Sequence, residues 1–227
     1  MKNSIHRFDW TVDDLKNGCL LASIAHSIMV AHYPLLTNEH SWNDRNYSVQ
    51  NSSGIRGTIT FFNGSCVAAF RDENSNRIRR MHTSDPKVYL SNAPMETQNI
   101  AENEALLYLL ESVDGIRTPV ITCAFWGNKD GVFSIDTFDE FMRNGGSIIE
   151  SHLLDFRSAV SQLTEYYEMS QPQVALLRSI YNKKTERPDM LVHFSRTDID
   201  MIGCNDMECL QVSIASFEQI GVVFDTT

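Results

Sequence analysis

The side chain with the most chemistry to offer is Cys19, in Lys16-Asn17-Gly18-Cys19-Leu20-Leu21. A thiol becomes nucleophilic when its surroundings lower its pKa, and thiol hydrolases do this by setting a cysteine at the start of a buried helix, with a histidine and an acid as partners. The residue types are present: His193 stands in a run that reads as a strand, Asp198 and Asp200 follow it, and His82 is a second candidate base. The spacing opposes the assignment. Thr11, Asp13 and Asp14 start the helix well before Cys19, which sets the thiol about two turns in, away from the positive end. Cys19 is therefore expected as a small core residue. A cysteine-dependent hydrolase or transferase using Cys19, His193 and Asp198 is the alternative.

Metal and phosphate signatures are thin. His26 and His32 are six positions apart on one helix and do not share a face as an i,i+4 zinc pair does. Cys204 and Cys209 have no second cysteine pair to complete a cage, and no HExxH, Walker or GxGxxG pattern occurs. No metal and no cofactor is expected. The paired acids Asp13-Asp14 and Asp139-Glu140 fall where helices begin, a position that favours negative charge for local reasons.

Charge is more informative by segment than in total. The 227-residue chain has a formal net charge of -10, but residues 1–90 carry +2 and residues 91–227 carry -12. After Arg196 there is no Lys or Arg, while Asp198, Asp200, Asp206, Glu208, Glu218 and Asp225 are all acidic. Overall acidity argues against sequence-independent nucleic-acid binding, which needs cations to displace counterions from phosphates. One local exception is the Arg71, Arg77, Arg79, Arg80 and His82 group, a candidate RNA face. An acidic face, with Trp42 and Tyr47 as aromatic anchors, suits a basic protein partner instead.

These side chains need a scaffold. Thr11 caps a long apolar helix over about 12–32, stopped by Pro34, with so wide an apolar stripe that most of it should be buried. Residues 46–82 read as an antiparallel β-meander with strands at 46–50, 57–62, 65–70 and 77–82, and Asn63-Gly64 is the two-residue hairpin turn. The spacing then predicts a helix over 96–112, a strand over 119–126, a turn at 127–131 and a strand over 132–135. Asp136 is expected to cap a short helix, followed by helices over 149–169 and 172–183 and strands at 190–194, 211–214 and 221–224. The fold class is α+β, an N-terminal buried helix, an antiparallel β-meander, then mixed helices and short strands in a single domain, any subdivision falling near 91–95.

Five cysteines, an odd number set mostly in apolar runs, point to a reducing compartment, and no window is apolar enough to span a bilayer. The expectation is an acidic cytoplasmic protein that binds another protein, of the immunity-protein or phage-encoded inhibitor type. Its partner-binding residues would be Asp198, Asp200, Asp206, Glu208, Trp42 and Tyr47.

Overall fold

In a computed structural model that describes residues 4–78 and 86–224, the chain has an α+β fold. Strand β1 (His6–Phe8) precedes helix α1 (Val12–Met29) and strands β2 (His40–Asn43), β3 (Asn46–Gln50), β4 (Ile55–Phe62) and β5 (Ser65–Asp72). Helix α2 (Met95–Asn103) is followed by strands β6 (Leu110–Val113), β7 (Ile116–Pro119), β8 (Cys123–Asn128) and β9 (Gly131–Ser134). The rest comprises α3 (Phe138–Arg143), α4 (Phe156–Tyr167), α5 (Gln171–Glu186), β10 (Val192–Phe194), α6 (Arg196–Ile202), α7 (Met207–Glu218) and β11 (Val222–Phe224). No helix among the described residues is long and apolar enough to cross a membrane.

The chain forms two compact units, one of Met1–Lys16 with Arg45–Glu150 and one of Asn17–Asp44 with Ser151–Thr227. The 91–95 segment lies inside the first unit.

The first unit is built on antiparallel pairing in the order β1-β9-β8-β5-β4-β3. Its central hairpin turns at Asn63 and Gly64, both at positive φ (46° and 70°), the backbone that matches the twist of the flanking strands. Gly57 lies opposite Phe70, and a Cβ there would fall 2.1 Å from the Phe70 ring. One face of these strands buries Val67, Ala69, Ala124 and Trp126 with Leu106, Leu109 and Ile121.

The second unit buries the apolar stripe of α1. Leu21, Ile24, Ala25 and Ile28 form one core with Val160 and Leu163 of α4, Leu176, Leu177 and Ile180 of α5, Phe217 of α7, and the parallel pair β10-β11. Thr11 caps α1 in a reciprocal box: its hydroxyl accepts from the Asp14 N–H at 3.1 Å, and Asp14 accepts from the Thr11 N–H at 3.1 Å.

Several expected elements are redrawn. The helix over 96–112 ends at Asn103, passes through a 3-10 turn at Ala105–Leu109 and becomes strand β6. Asp114 and Gly115, both at positive φ (51° and 79°), turn that strand into β7. The strand expected over 119–126 begins only at Cys123. Asp136 is not the cap of α3. Thr137 and Glu140 form that capping box, and Asp136 instead accepts both Arg77 nitrogens at 2.7 and 2.9 Å. The helix over 149–169 is a 3-10 segment (Gly146–Leu153) and then α4, restarted by the Asp155 cap. Residues 211–214 belong to α7, because the Asp206 side chain accepts from the N–H groups of Glu208 and Cys209 and launches a helix through them. Of the strand expected at 77–82, Arg77 and Ile78 lie in a turn and the remainder lies outside the described residues.

Candidate metal centre

Two histidines of the second unit, His26 and His40, converge on the Glu39 carboxylate, and a third, His152, stacks against His40. His26 sits on the buried side of α1, one turn before the helix ends at Met29. The N–H groups of His32 and Tyr33 both donate to the Met29 carbonyl, and Pro34–Leu36 form a 3-10 turn that reverses the chain. The Glu39 N–H then donates to the Leu36 carbonyl at 2.8 Å, leaving Glu39 in a bend just before β2. That bend matters. In a regular strand Glu39 and His40 would point to opposite faces, whereas here one ligand atom from each lies within 4.8 Å of the other and of a His26 ring nitrogen.

His26 is 1% exposed, and its Nε2 finds no hydrogen-bond partner among the described residues. Its Nδ1 lies 3.5 Å from the Tyr167 hydroxyl. Rings of His26 and His40 have centres 4.9 Å apart, and the His152 ring lies 5.8 Å from that of His40, near-parallel to it. The Tyr166 hydroxyl donates to Glu39 Oε2 at 3.4 Å.

Burial sets the protonation states. Desolvation lowers His26 to about 4, opposed in part by the Thr37 backbone, and lowers His152 to about 3. His40 is held well below its ordinary value by burial and then by its two imidazole neighbours. Burial raises the Glu39 carboxyl, and the Tyr166 hydroxyl pulls it back. At neutral pH the rings are therefore neutral imidazoles, the form that donates a lone pair to a metal. A buried polar nitrogen without a partner is unfavourable by roughly 1–3 kcal/mol, and a cation among these rings would satisfy it. Imidazole with carboxylate suits zinc and its first-row neighbours, in contrast to the all-oxygen sets of calcium or magnesium.

The residues singled out by sequence are placed elsewhere. Cys19 is fully buried inside α1, where Ser23 Oγ donates to its carbonyl at 2.8 Å, while His193 is exposed on β10. Asp198 accepts from the Ser195 N–H at 2.8 Å in the capping box of α6, and Asp206 caps α7. Asp200, Asp206 and Glu208 are exposed, and Asp200 forms an i,i+4 pair with Arg196. Tyr47 is fully buried in the first unit and has no surface to offer a partner. Trp42 packs at the edge of the second unit's core and donates its indole N–H to Ser23 Oγ at 2.8 Å.

In the candidate RNA face, Arg77 is held by Asp136 and by the Thr122 carbonyl, and Arg71 pairs with Glu111 and Glu73. Those charges are largely neutralised internally. Arg79, Arg80 and His82 lie outside the described residues.

Comparing His26 only with His32 along one helix missed the cluster, because the other ligands come from chain that doubles back. The available signal was Glu39-His40 closely following a helix stop at Pro34. No protein-family model matches the chain, and no curated protein and no solved structure matches it either.

Proposed function

We propose that this protein binds a divalent transition-metal ion through His26, Glu39 and His40. The convergence of their ligand atoms within 4.8 Å, in a pocket of neutral imidazoles, carries the reading. A cytoplasmic setting accords with all five cysteines being thiols, and the coordinating groups are the nitrogen and oxygen donors that zinc prefers when thiolate is not used. The test is calorimetric titration of chelator-treated protein with Zn(II). One ion per chain is expected, with binding abolished in a His40→Ala, Glu39→Gln double variant that keeps the parent's circular dichroism. Equal affinity in parent and variant removes the assignment.

A second reading, binding to a basic protein partner, is favoured by one observation on the α6–α7 surface. Met207, 66% exposed, sits between Asp206 and Glu208, an apolar anchor flanked by acids. The immunity-protein or inhibitor type of action would use this face. Metal binding and partner binding involve different residues of the second unit, so each can be removed separately.

A further inference from the structure

We propose that the first unit binds a small organic acid, its carboxylate on Arg71 and its apolar body in a cavity walled by Val88, Val120, Ile121 and Ile135. The proposal is independent of the metal-binding reading, because His26, Glu39 and His40 all belong to the second unit.

The cavity is the first support. It measures about 500 Å³, inside the ~300–1,000 Å³ range of small-molecule sites. Val67, Ala69 and Arg71 alternate onto one face of β5, and the two apolar residues share a core with Leu106, Leu109 and Ile121. Ile121 belongs both to that core and to the cavity wall, so the cavity continues the core at the end of β5 where Arg71 stands. Its walls are apolar over most of their area, which suits a ligand with a hydrocarbon body better than an inorganic anion.

The state of Arg71 is the second. The charges around it nearly balance, but its hydrogen bonds do not. Its side chain is 14% exposed, and its buried Nε and Nη1 have no hydrogen-bond partner among the described residues. Glu111 Oε1 lies 2.5 Å from Nη1, close enough for charge pairing but outside hydrogen-bond geometry, and the same oxygen pairs with Arg56 Nη2. Glu73, 57% exposed, stands 3.5 Å from Nη2. Arg56 and Arg71 are directly opposite in the β4–β5 register, so two guanidiniums share one carboxylate. Burial and then the Arg56 charge lower the Arg71 guanidinium from its ordinary value, with Glu73 opposing, as expected where one further negative group would be favourable.

The other charged pair of the lining is already complete. Asp136 accepts two Arg77 nitrogens at 2.7 and 2.9 Å, and Arg77 also donates to the Thr122 carbonyl. That leaves Arg71, not Arg77, as the group that an incoming carboxylate would engage. A guanidinium takes a carboxylate through two parallel N–H···O bonds, which would supply acceptors to the nitrogens that lack them.

Phenylacetate and hexanoate are the probes, with phenylacetamide as the uncharged isostere, titrated into the full chain and followed by the backbone amide resonances of Arg71, Ile121 and Ile135. Both acids should shift these resonances, and phenylacetate should bind roughly 10–100-fold more tightly than phenylacetamide, the span of a hydrogen bond to a charged group. Arg71→Met keeps an apolar stem and removes the fork, and should bring acid and amide to equal affinity. Equal affinity of acid and amide in the parent, or a preference for the acid that survives Arg71→Met, overturns the placement of the carboxylate on Arg71. No shift at these resonances with either acid overturns the site itself. The comparison of acid with amide in the parent needs no variant, so it decides the matter even if Arg71→Met does not fold.

Discussion

A Cβ placed on Gly18 would lie 1.9 Å from the carbonyl oxygen of His152. Helix α1 therefore runs directly against backbone at this point, and the close approach brings the His152 segment alongside the helix that carries His26. A backbone atom cannot swing away as a side-chain tip can. Gly18→Ala, though it improves helix propensity, is expected to destabilise the protein by roughly 2–4 kcal/mol. Urea unfolding measures this; a variant as stable as the parent would mean that the helix can shift freely at Gly18.

Acid should unfold the metal-free protein through its buried histidines. In the unfolded chain each titrates near 6.5, whereas burial holds His26 at about 4 and His152 at about 3. Protons therefore favour the unfolded state between those values: the stability is present above about 6.5 and drains away as pH falls. Once pH has dropped through the folded value, the loss is on the order of 3 kcal/mol for His26 and on the order of 5 kcal/mol for His152. Melting temperature followed from pH 7 to pH 4 should fall, less steeply in a His152→Gln variant, and a flat profile would contradict the buried neutral rings.

Thiol reactivity separates the cysteines by position. Cys19, Cys66 and Cys123 are buried, and burial pushes the Cys66 thiol up to about 12 and Cys123 well above its ordinary value. Cys204 and Cys209 are partly exposed. Iodoacetamide should modify Cys204 and Cys209 in the folded protein and reach the other three only after denaturation, as read by peptide mass spectrometry. Rapid labelling of native Cys19 would favour the thiol-hydrolase alternative.

The acidic surface needs selective mutation, since its residues do different jobs. Asp206 accepts N–H groups at the start of α7, so Asp206→Ala should cost about 1 kcal/mol whatever the partner. Asp200 and Glu208 are exposed, with no capping hydrogen bond assigned to their side chains. Asp200→Lys with Glu208→Lys should leave the melting temperature within a degree or two, consistent with the roughly 0.5 kcal/mol typical of surface changes. The same pair should weaken any salt-dependent association with a basic partner, and undiminished affinity would dismiss this face as an interface.

Local chemistry was readable wherever it was confined to neighbouring residues. Asn63-Gly64 specified a hairpin because both positions need positive φ, and Thr11 with Asp14 specified a helix start because the partners are one turn apart. Leu106 and Leu109 misled for a related reason: their spacing suits a helix, but it also suits the 3-10 turn that buries them before β6. Residues 211–214 resemble a strand until the Asp206 cap is recognised. The candidate ligand set was hidden because Glu39 and His40 return to His26 only after the chain reverses at Pro34–Leu36, a placement that spacing along one helix does not reveal.

The discontinuity of the second unit has a consequence during synthesis. Residues 17–44 leave the ribosome early, yet the helices and strands that cover Leu21, Ile24 and Ile28 begin only after residue 151, with the first unit's main segment translated between them. At the usual 5–20 residues per second, α1 waits several seconds with its apolar stripe uncovered while 45–150 emerge. In that interval the nascent chain presents an uncovered apolar surface, and slowing translation between residues 45 and 150 would lengthen its exposure.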